Sequence, residues 1–544
     1  MHSSNQEKTI DQSSNLGLCN ECRSRVPCSF FERDGETWIR KECPEHGVSE
    51  SRVSRDYLVW KAKRDLWDYV PSDLGGCSLK CDTCRIDHDP NIVFVDVTNR
   101  CNMNCPICIA TIKGMGFDFN PPLEYFEKVF SNIANKERPP VLLLFGGEPT
   151  VRNDLIDIIR IAHKHALKPH IVTNGIRLAD EEYCKMLCDA RVPTRFAFDG
   201  RDPEIYERLR KNRGAYYKKL KALENLSKYS RRKHTIIGTI GRGFNDQHLG
   251  DLLQFVHDNR DLISDLGLIP LTENWEPGTF ESDVHTTMED VEKMVQQAVP
   301  DSGQDFVPAG LSYCLRQVRS FFRDNPRSEV LLLAGVHPNC ESMTLLVSDG
   351  QKYRSINHYL RRPFQQVAVE FAEKARKIEP ILNKLDQKKF FQKLRGQLLI
   401  IKTYAWWALK RIRFVRLIGN PITTLSRFGK SGTKGPQGVS KSRRPRRLLR
   451  VAMLPFEEEH SIDALRLKNC KAVFAYEDVE DGQVKNIPAC LWYPYRNTIL
   501  KNISQKYGIA GRESQTKSTL KVQDAAELQE STQKENLTSN AESL

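Results

Sequence analysis

No uncharged apolar run in the 544 residues reaches the ~18 needed to span a bilayer, and the first residues, MHSSNQEKTIDQSS, lack the apolar core of a signal peptide. Both absences lead us to expect a cytoplasmic protein. Internal repeats of the solenoid kind are missing as well. Acidic residues are absent from 391–450, where 16 Lys or Arg stand, so the remaining residues sum to 13 − 16 = −3 of the formal +13. A basic surface spread over the whole chain is thereby excluded, and with it a diffuse nucleic-acid-binding reading. Residues 1–16 are polar, and the tail 509–544 is polar and without aromatics; both are expected to be disordered.

What is present is an adequate core and an uneven supply of thiols. Hydrophobic residues make up 40% of the chain, enough for a packed interior, and at ~150 residues per domain the length suggests three or four units. Ten of the 16 cysteines precede residue 109, mostly in short-spaced groups. In a chain without an export signal such groups read as metal ligands rather than disulfides.

The remaining organisation follows from pattern. Residues 17–56 carry CNEC and CPEHG around a strand-like FFERDGETWIRKE, a pair of metal knuckles joined by a hairpin. Residues 57–91 begin helical and end in GGCSLKCDTC. Over 92–272, strand candidates IVFVDVTNR, VLLLFGG, PHIVTNG, TRFAFDG, HTIIGTIG and LGLIPL alternate with helical segments such as LEYFEKVFSNIANK. Six β-then-α units predict an α/β fold, a parallel sheet curled into a partial (β/α)6 barrel with its chemistry at the C-terminal strand ends. Residues 273–365 read as a further α/β extension, 366–447 as a basic helical insertion and loop, and 448–508 as a C-terminal Cys-containing segment with strand patterning.

The sharpest motif is Cys101-Asn-Met-Asn-Cys105-Pro-Ile-Cys108, directly after the first barrel strand. Three thiolates in one loop can hold three irons of a four-iron cluster and leave the fourth iron open to a chelating ligand. A zinc site more often shows two CxxC pairs. After the second strand comes Gly146-Gly147-Glu148-Pro149, whose glycines would let a ligand approach the backbone and whose carboxylate could pair with a cationic amine.

Cys101, Cys105, Cys108 and the Gly146–Pro149 motif resemble the radical S-adenosylmethionine superfamily. The resemblance implies that the open iron chelates the methionyl amine and carboxylate of S-adenosylmethionine. Reductive cleavage would then give methionine and a 5′-deoxyadenosyl radical that removes hydrogen from an unactivated carbon. The glycine motif would contact the methionyl amine, and Asn174-Gly175 and Asp199-Gly200 would contribute to the cofactor pocket, ordinary turns being the alternative for both pairs. CPEHG, GGCSLKCDTC, FAFDGRDPEIYERLR, TIGRGFNDQHLGDLLQF, HPNC and the distal cysteines are further similar to the branch that holds archaeal tetraether lipid synthases and a related pterin methylase. That branch implies radical chemistry on a lipid alkyl chain, auxiliary [4Fe-4S] clusters, and an electron donor such as flavodoxin or ferredoxin.

Other thiols divide by spacing. Cys19, Cys22, Cys43 and His46 read as one tetrahedral site for a mononuclear iron or zinc. Cys77, Cys81 and Cys84 repeat the cluster spacing; the branch commonly has a fourth Cys where this chain has Asn91 and Ile92, which leaves His88 or a distal Cys as the fourth ligand. Cys314, Cys340, Cys470 and Cys490 could hold a second auxiliary cluster, while Cys28, Cys184 and Cys188 read as core residues.

On a helix from Lys393, Leu394, Leu398, Ile401, Ala405, Ala408, Ile412 and Val415 recur at steps of three and four. Trp406 and Trp407 lie mid-helix, with Lys402, Lys410, Arg411, Arg413 and Arg416 around them. That composition, followed by the polybasic 441–450, predicts that 391–447 lies on an anionic membrane surface. A helix packed on the barrel with a solvated basic face is the alternative, and a nucleic-acid tract ranks below both because no RNA-binding signature accompanies it. The leading expectation is therefore a cytoplasmic enzyme, peripheral on the inner membrane face, that abstracts hydrogen from a lipid alkyl chain and forms a carbon–carbon bond. Radical methylation of a soluble heterocycle such as a pterin is the second reading, and a membrane-associated iron–sulfur electron carrier or redox sensor the third.

Overall fold

In this computed structural model the described residues are 8–9, 15–66, 77–81, 84, 88–110, 112–136, 138–272, 285–300, 303–322, 333–414, 416, 448–456 and 458–508. The N-terminal unit is an antiparallel sheet of β1 (Lys8–Thr9), β2 (Asn15–Leu18), β3 (Arg25–Arg33), β4 (Glu36–Cys43) and β5 (Gly47–Ser54), in the order β1-β3-β4-β5 with β2 also on β3. Asp34 and Gly35 both take positive φ, 53° and 77°. This is the two-residue turn whose twist suits a tight hairpin, and it explains the Asp-Gly between the two apolar stretches. Side chains alternate along β4, so Ile39 joins Cys28 and Phe30 in a small core against Trp60 of the helix Tyr57–Arg64. That helix starts at Asp56, whose carboxylate accepts the Val59 N–H.

The main body is one large sheet. Six parallel strands, β6 (Ile92–Thr98), β7 (Val141–Gly146), β8 (Lys168–Thr173), β9 (Thr194–Ala197), β10 (His234–Ile240) and β11 (Ile263–Pro270), pair in sequence order. They occupy the six segments that the sequence marks out, and helices such as Leu123–Ala134, Leu155–Lys164 and Leu249–Asp258 return the chain between them. All seven residues of β6 are buried, Asp96 and Thr98 among them, so the strand is covered on both faces. Three further strands precede the basic insertion: β12 (Val307–Pro308), β13 (Ser342–Ser348) and β14 (Tyr353–Ser355).

Local pattern does not reveal what the C-terminal segment does. β15 (Leu448–Met453) adds in parallel to β11, and β16 (Ala472–Glu477) adds in parallel to β6. Among the described residues the barrel sheet thus has eight parallel strands, and the two outermost come from beyond the insertion. Antiparallel β13 then continues from β15, and antiparallel β17 (Val484–Pro488) from β16. Cys184 and Cys188 are core residues of this body.

The insertion forms a helical hairpin, Phe364–Leu382 and Phe390–Arg411. Among the described residues its second helix packs by one face: Ile400 joins Phe321, Ile378 and Leu382, Tyr404 stacks on Phe371 at 4.4 Å, and Trp407 Nε1 donates to Glu370 at 2.8 Å. The face carrying Leu394, Leu398, Ile401 and Ala405 is exposed, together with Phe390, Phe391, Trp406 and Leu409. Ile412 ends the helix and Val415 lies outside the described residues. No helix among the described residues is long and apolar enough to cross a membrane.

Candidate active site and metal centres

The cysteine loop leaves β6 and is held from below. Asn99 is buried; its side-chain carbonyl accepts the Phe119 N–H at 2.9 Å and its amide donates to the Phe117 carbonyl at 2.8 Å. Arg100 adds a forked ion pair to Asp118. The exit of β7 then docks on this loop through backbone bonds, Gly147 N–H to the Thr98 carbonyl at 2.7 Å and Glu148 N–H to the Arg100 carbonyl at 2.8 Å. A Cβ at Gly146 would sit 2.2 Å from the Thr98 oxygen, and one at Gly147 would sit 2.1 Å from the Arg100 oxygen. The paired glycines therefore let the chain's own cysteine loop come close, which is nearer to hand than the ligand approach expected of them.

Glu148 also has a partner set that its sequence position did not disclose. Its side chain is buried and accepts from Thr150 N–H (3.1 Å), Thr150 Oγ1 (2.6 Å), Thr173 Oγ1 (2.7 Å) and Asn174 N–H (2.7 Å). Burial pushes its carboxyl up while these bonds pull it down. The carboxylate thus ties the exit of β7 to that of β8, and Pro149 opens the short helical turn that follows. Asn174, at the end of β8, donates to Asn102 Oδ1 at 2.8 Å and reaches Cys101 Sγ at 3.9 Å.

Cys101, Cys105 and Cys108 line one cavity of about 270 Å³ with Gly146, Gly147, Glu148 and Asn174, and the cavity continues down the barrel past Phe94 and Phe145. Their sulfurs are not gathered within 4.8 Å of one another as the ligands of a single ion are. Three thiols facing one space at this wider spread fit a four-iron cluster with an open iron.

Asp199 does not line the cavity. Burial alone would raise its carboxyl, but Arg210 pairs with both its oxygens (2.9 and 2.8 Å) and holds it below the usual range. Arg210 does line the cavity, as does Cys105, so Asp199 faces that space only through its ion-pair partner. Lys219 lies beneath, donating to the carbonyls of Asn174 (2.6 Å) and Ala197 (2.7 Å), and burial pushes it down to about 8. Neither basic residue was legible: each is an ordinary member of a charged helix, brought to the site by the barrel.

The knuckle residues converge as spacing predicts. Cys19 Sγ and Cys43 Sγ lie 3.8 and 3.5 Å from His46 Nδ1, and Cys22 Sγ lies 3.8 Å from Cys43 Sγ. Metal–sulfur bonds of ~2.3 Å at tetrahedral angles put ligand atoms about this far apart. Among the described residues, this is the set of Cys, His, Asp or Glu atoms close enough to hold one ion. Hydrogen bonds from Ser24 bring the Cys22 thiol down to about 6.

The distal thiols are partly assembled. Cys340, Cys470 and Cys490 are mutual neighbours, and the buried Arg466 lies beside Cys340 and Cys490; the side chain of Cys314 is outside the described residues. Cys77 neighbours Cys84, and the Cys81 N–H donates to Tyr495 Oη at 3.3 Å. His88 is buried with its carbonyl accepting Lys471 Nζ at 2.7 Å. Asn91 is buried at the start of β6, its N–H on the Lys471 carbonyl.

Comparison with known proteins agrees with this geometry. A family model described as the radical SAM superfamily matches residues 95–256, and one described as the HMPTM N-terminal zinc ribbon domain matches residues 14–55. The 7,8-dihydro-6-hydroxymethylpterin dimethyltransferase of Methanocaldococcus jannaschii is 31% identical over 268 residues, 47% of this chain and 53% of that one. The Fe-coproporphyrin III synthase of Methanosarcina barkeri is 31% identical over 140 residues, 26% of this chain and 34% of that one. The matched part thus spans about half the length of the first relative and a third of the second. The structure of Streptococcus suis SuiB bound to S-adenosylmethionine matches 38% of this chain and 46% of its own at 16% identity and a TM-score of 0.31. A radical SAM domain implies a [4Fe-4S] cluster and S-adenosylmethionine, and the grouped cysteines other than the core residues Cys28, Cys184 and Cys188 fit auxiliary clusters or a metal. The superfamily match runs from β6 into the helix after β10, across both the three-cysteine loop and the glycine pair, so residues 95–256 are a radical S-adenosylmethionine domain.

Proposed function

We propose that this radical S-adenosylmethionine enzyme takes a hydrogen atom from an unactivated carbon of a small polar molecule in the barrel lumen, in the methylation of a soluble heterocycle such as a pterin. The observation that carries the reading is the single cavity joining Cys101, Cys105 and Cys108 to the barrel interior, whose volume of about 270 Å³ lies just under the range of small-molecule sites. The named relatives act on a pterin and make a porphyrin, both heterocycles. When bound, a reduced cluster and S-adenosylmethionine supply a 5′-deoxyadenosyl radical. Cys101, Cys105 and Cys108 would hold the cluster. Gly146, Gly147 and Asn174 would meet the cofactor's polar end, and Arg210, held by Asp199, would stand beside Cys105 as a fixed positive charge. Phe94, Phe145 and Phe456 line the space between and keep water from a radical there.

A second reading, hydrogen abstraction from a membrane-lipid alkyl chain with carbon–carbon bond formation, is favoured by one observation, the uncovered apolar face of Phe390–Arg411 within a stretch free of acidic residues. Under it that face lies on an anionic membrane. Anaerobic turnover with deuterated pterin or with deuterated lipid extract separates the two, the label appearing in 5′-deoxyadenosine with the true substrate. Label from lipid alone would overturn the first reading.

A further inference from the structure

The inner wall of the barrel carries charge where a packed barrel carries aliphatic residues. Register places Val172 of β8, Arg195 of β9, Thr235 of β10, Asp265 of β11 and Arg450 of β15 in one hydrogen-bonded row. Arg195, Thr235, Asp265 and Arg450 all line the cavity, as does Glu341. Barrel interiors are normally filled by layers of branched apolar side chains. The layer directly above this row holds Ala197, Ile237, Gly267 and Ala452. Three of those four are small, so the lumen stays open from the cysteine loop down to the charges. Thr235 lies four residues before Thr239 at the upper rim, about 13 Å along the strand.

The charges are not equally matched. Asp265 accepts Arg450 Nε at 3.1 Å and Ser264 Oγ at 2.6 Å. Glu341 accepts the Ala334 N–H at 2.5 Å, and burial pushes its carboxyl up. Arg195 makes no ion pair with any described residue, and its buried Nε has no hydrogen-bond partner. Burial and the neighbouring Arg450 bring it down to about 10, with Asp265 and Glu341 pulling the other way. A guanidinium held beside a second guanidinium, without its own carboxylate, is costly unless something completes it. The fold gives no reason for it, since the same row could be closed with Val or Leu.

We infer that Arg195, with Arg450, binds an anionic group of the substrate, a carboxylate or a phosphate, at the floor of the barrel. The rest of the substrate would rise past Phe94, Phe145 and Phe456 toward the cysteine loop. This deepens the preceding proposal and rests on it for the identity of the lumen as the substrate site. It gives the substrate class: a small molecule with a charged acidic end roughly a barrel depth from the carbon that loses hydrogen.

The test uses reconstituted full-length enzyme and equilibrium dialysis of two probes at fixed ionic strength, inorganic phosphate and benzoate. Saturable binding of one equivalent of either probe is expected, and the probe that binds names the kind of anion. Arg195→Gln and Arg450→Gln should each weaken binding about tenfold or more, the size of one lost charge-assisted contact. Arg195→Lys should keep part of the affinity, and Arg416→Gln, on the exposed surface, should leave it unchanged. Circular dichroism checks that each variant is folded, and two variants at separate strands guard against one failing. Saturable binding of neither probe, or wild-type binding by folded Arg195→Gln and Arg450→Gln, overturns the assignment. Formation of 5′-deoxyadenosine is measured on the same preparations. Anion binding without it would sink the radical reading and leave the anion site standing; 5′-deoxyadenosine without anion binding would sink the anion site alone.

Discussion

A methyl group added at Gly147 would meet the Arg100 carbonyl oxygen at 2.1 Å, and one at Gly146, where φ is +124°, would meet the Thr98 oxygen at 2.2 Å. Backbone cannot yield as a flexible side chain can, so Gly147→Ala should cost on the order of 3 kcal/mol or more. It should also detach the cysteine loop, seen as a lowered unfolding midpoint and fewer irons bound after reconstitution. Gly250→Ala, on the helix Leu249–Asp258 with open space around its Cβ, is the contrast: it should stabilise by up to ~1 kcal/mol. A second residue-scale test concerns Asp96 of β6. Burial pushes its carboxyl up to about 6, although Arg496 and the Trp492 indole N–H, 2.9 Å away, pull it down. Since ~3.9 is usual in an unfolded chain, its favourable contribution is complete below about pH 4 and is lost as pH rises through 6. Asp96→Asn keeps an acceptor for Trp492 and should exceed the wild type in stability by on the order of 3 kcal/mol at pH 8 and about half that at pH 5. Denaturant titrations at the two pH values would show equal differences if the carboxyl were not perturbed.

Among the elements, Phe390–Arg411 is bonded on one side and bare on the other. Phe391, Leu398 and Trp406 are 81%, 58% and 66% exposed, so replacing all three by Ser should change stability by no more than about 1–2 kcal/mol in total. The same triple variant should lose any flotation with anionic vesicles; unchanged flotation would remove the membrane from the account. This helix and the six strands β6–β11 were legible because their cause is local: periodicity for the helix, short apolar runs ended by polar residues for the strands. The loop thiols, the glycine pair and the ribbon ligands were legible for a like reason, being short-range spacings. Arg210, the partners of Glu148 and the row Arg195–Thr235–Asp265–Arg450 were not, because long-range register assembles them. Nothing near Arg450 announces that β15 will lie beside β11.

At the scale of the whole molecule, the ribbon is fastened to the body by polar contacts. Asn15 donates to Asp463 at 3.0 Å, and Arg23 pairs with Glu459. Below them the fully buried Lys63 holds Glu289 and Glu292 at 2.5 and 2.9 Å, joining the helix after the ribbon to the helix Met288–Ala298. The ribbon core itself is small, so its ion should supply much of its stability. Chelation should expose β2–β5 to proteolysis and hydrogen exchange while the barrel strands stay protected, and uniform protection would show that the four ligands need no metal. The C-terminal strands extend the barrel sheet at both ends, β15 beyond β11 and β16 beyond β6, around a lumen whose upper rim bears the three cysteines. The proposed radical chemistry stands on those thiols. Its most direct test is to reconstitute the protein anaerobically, reduce it with S-adenosylmethionine present, and measure 5′-deoxyadenosine. The wild type should form it, and Cys101→Ala, Cys105→Ala and Cys108→Ala should not. A folded, iron-loaded wild type that forms none would contradict the account and leave an iron–sulfur electron carrier in its place.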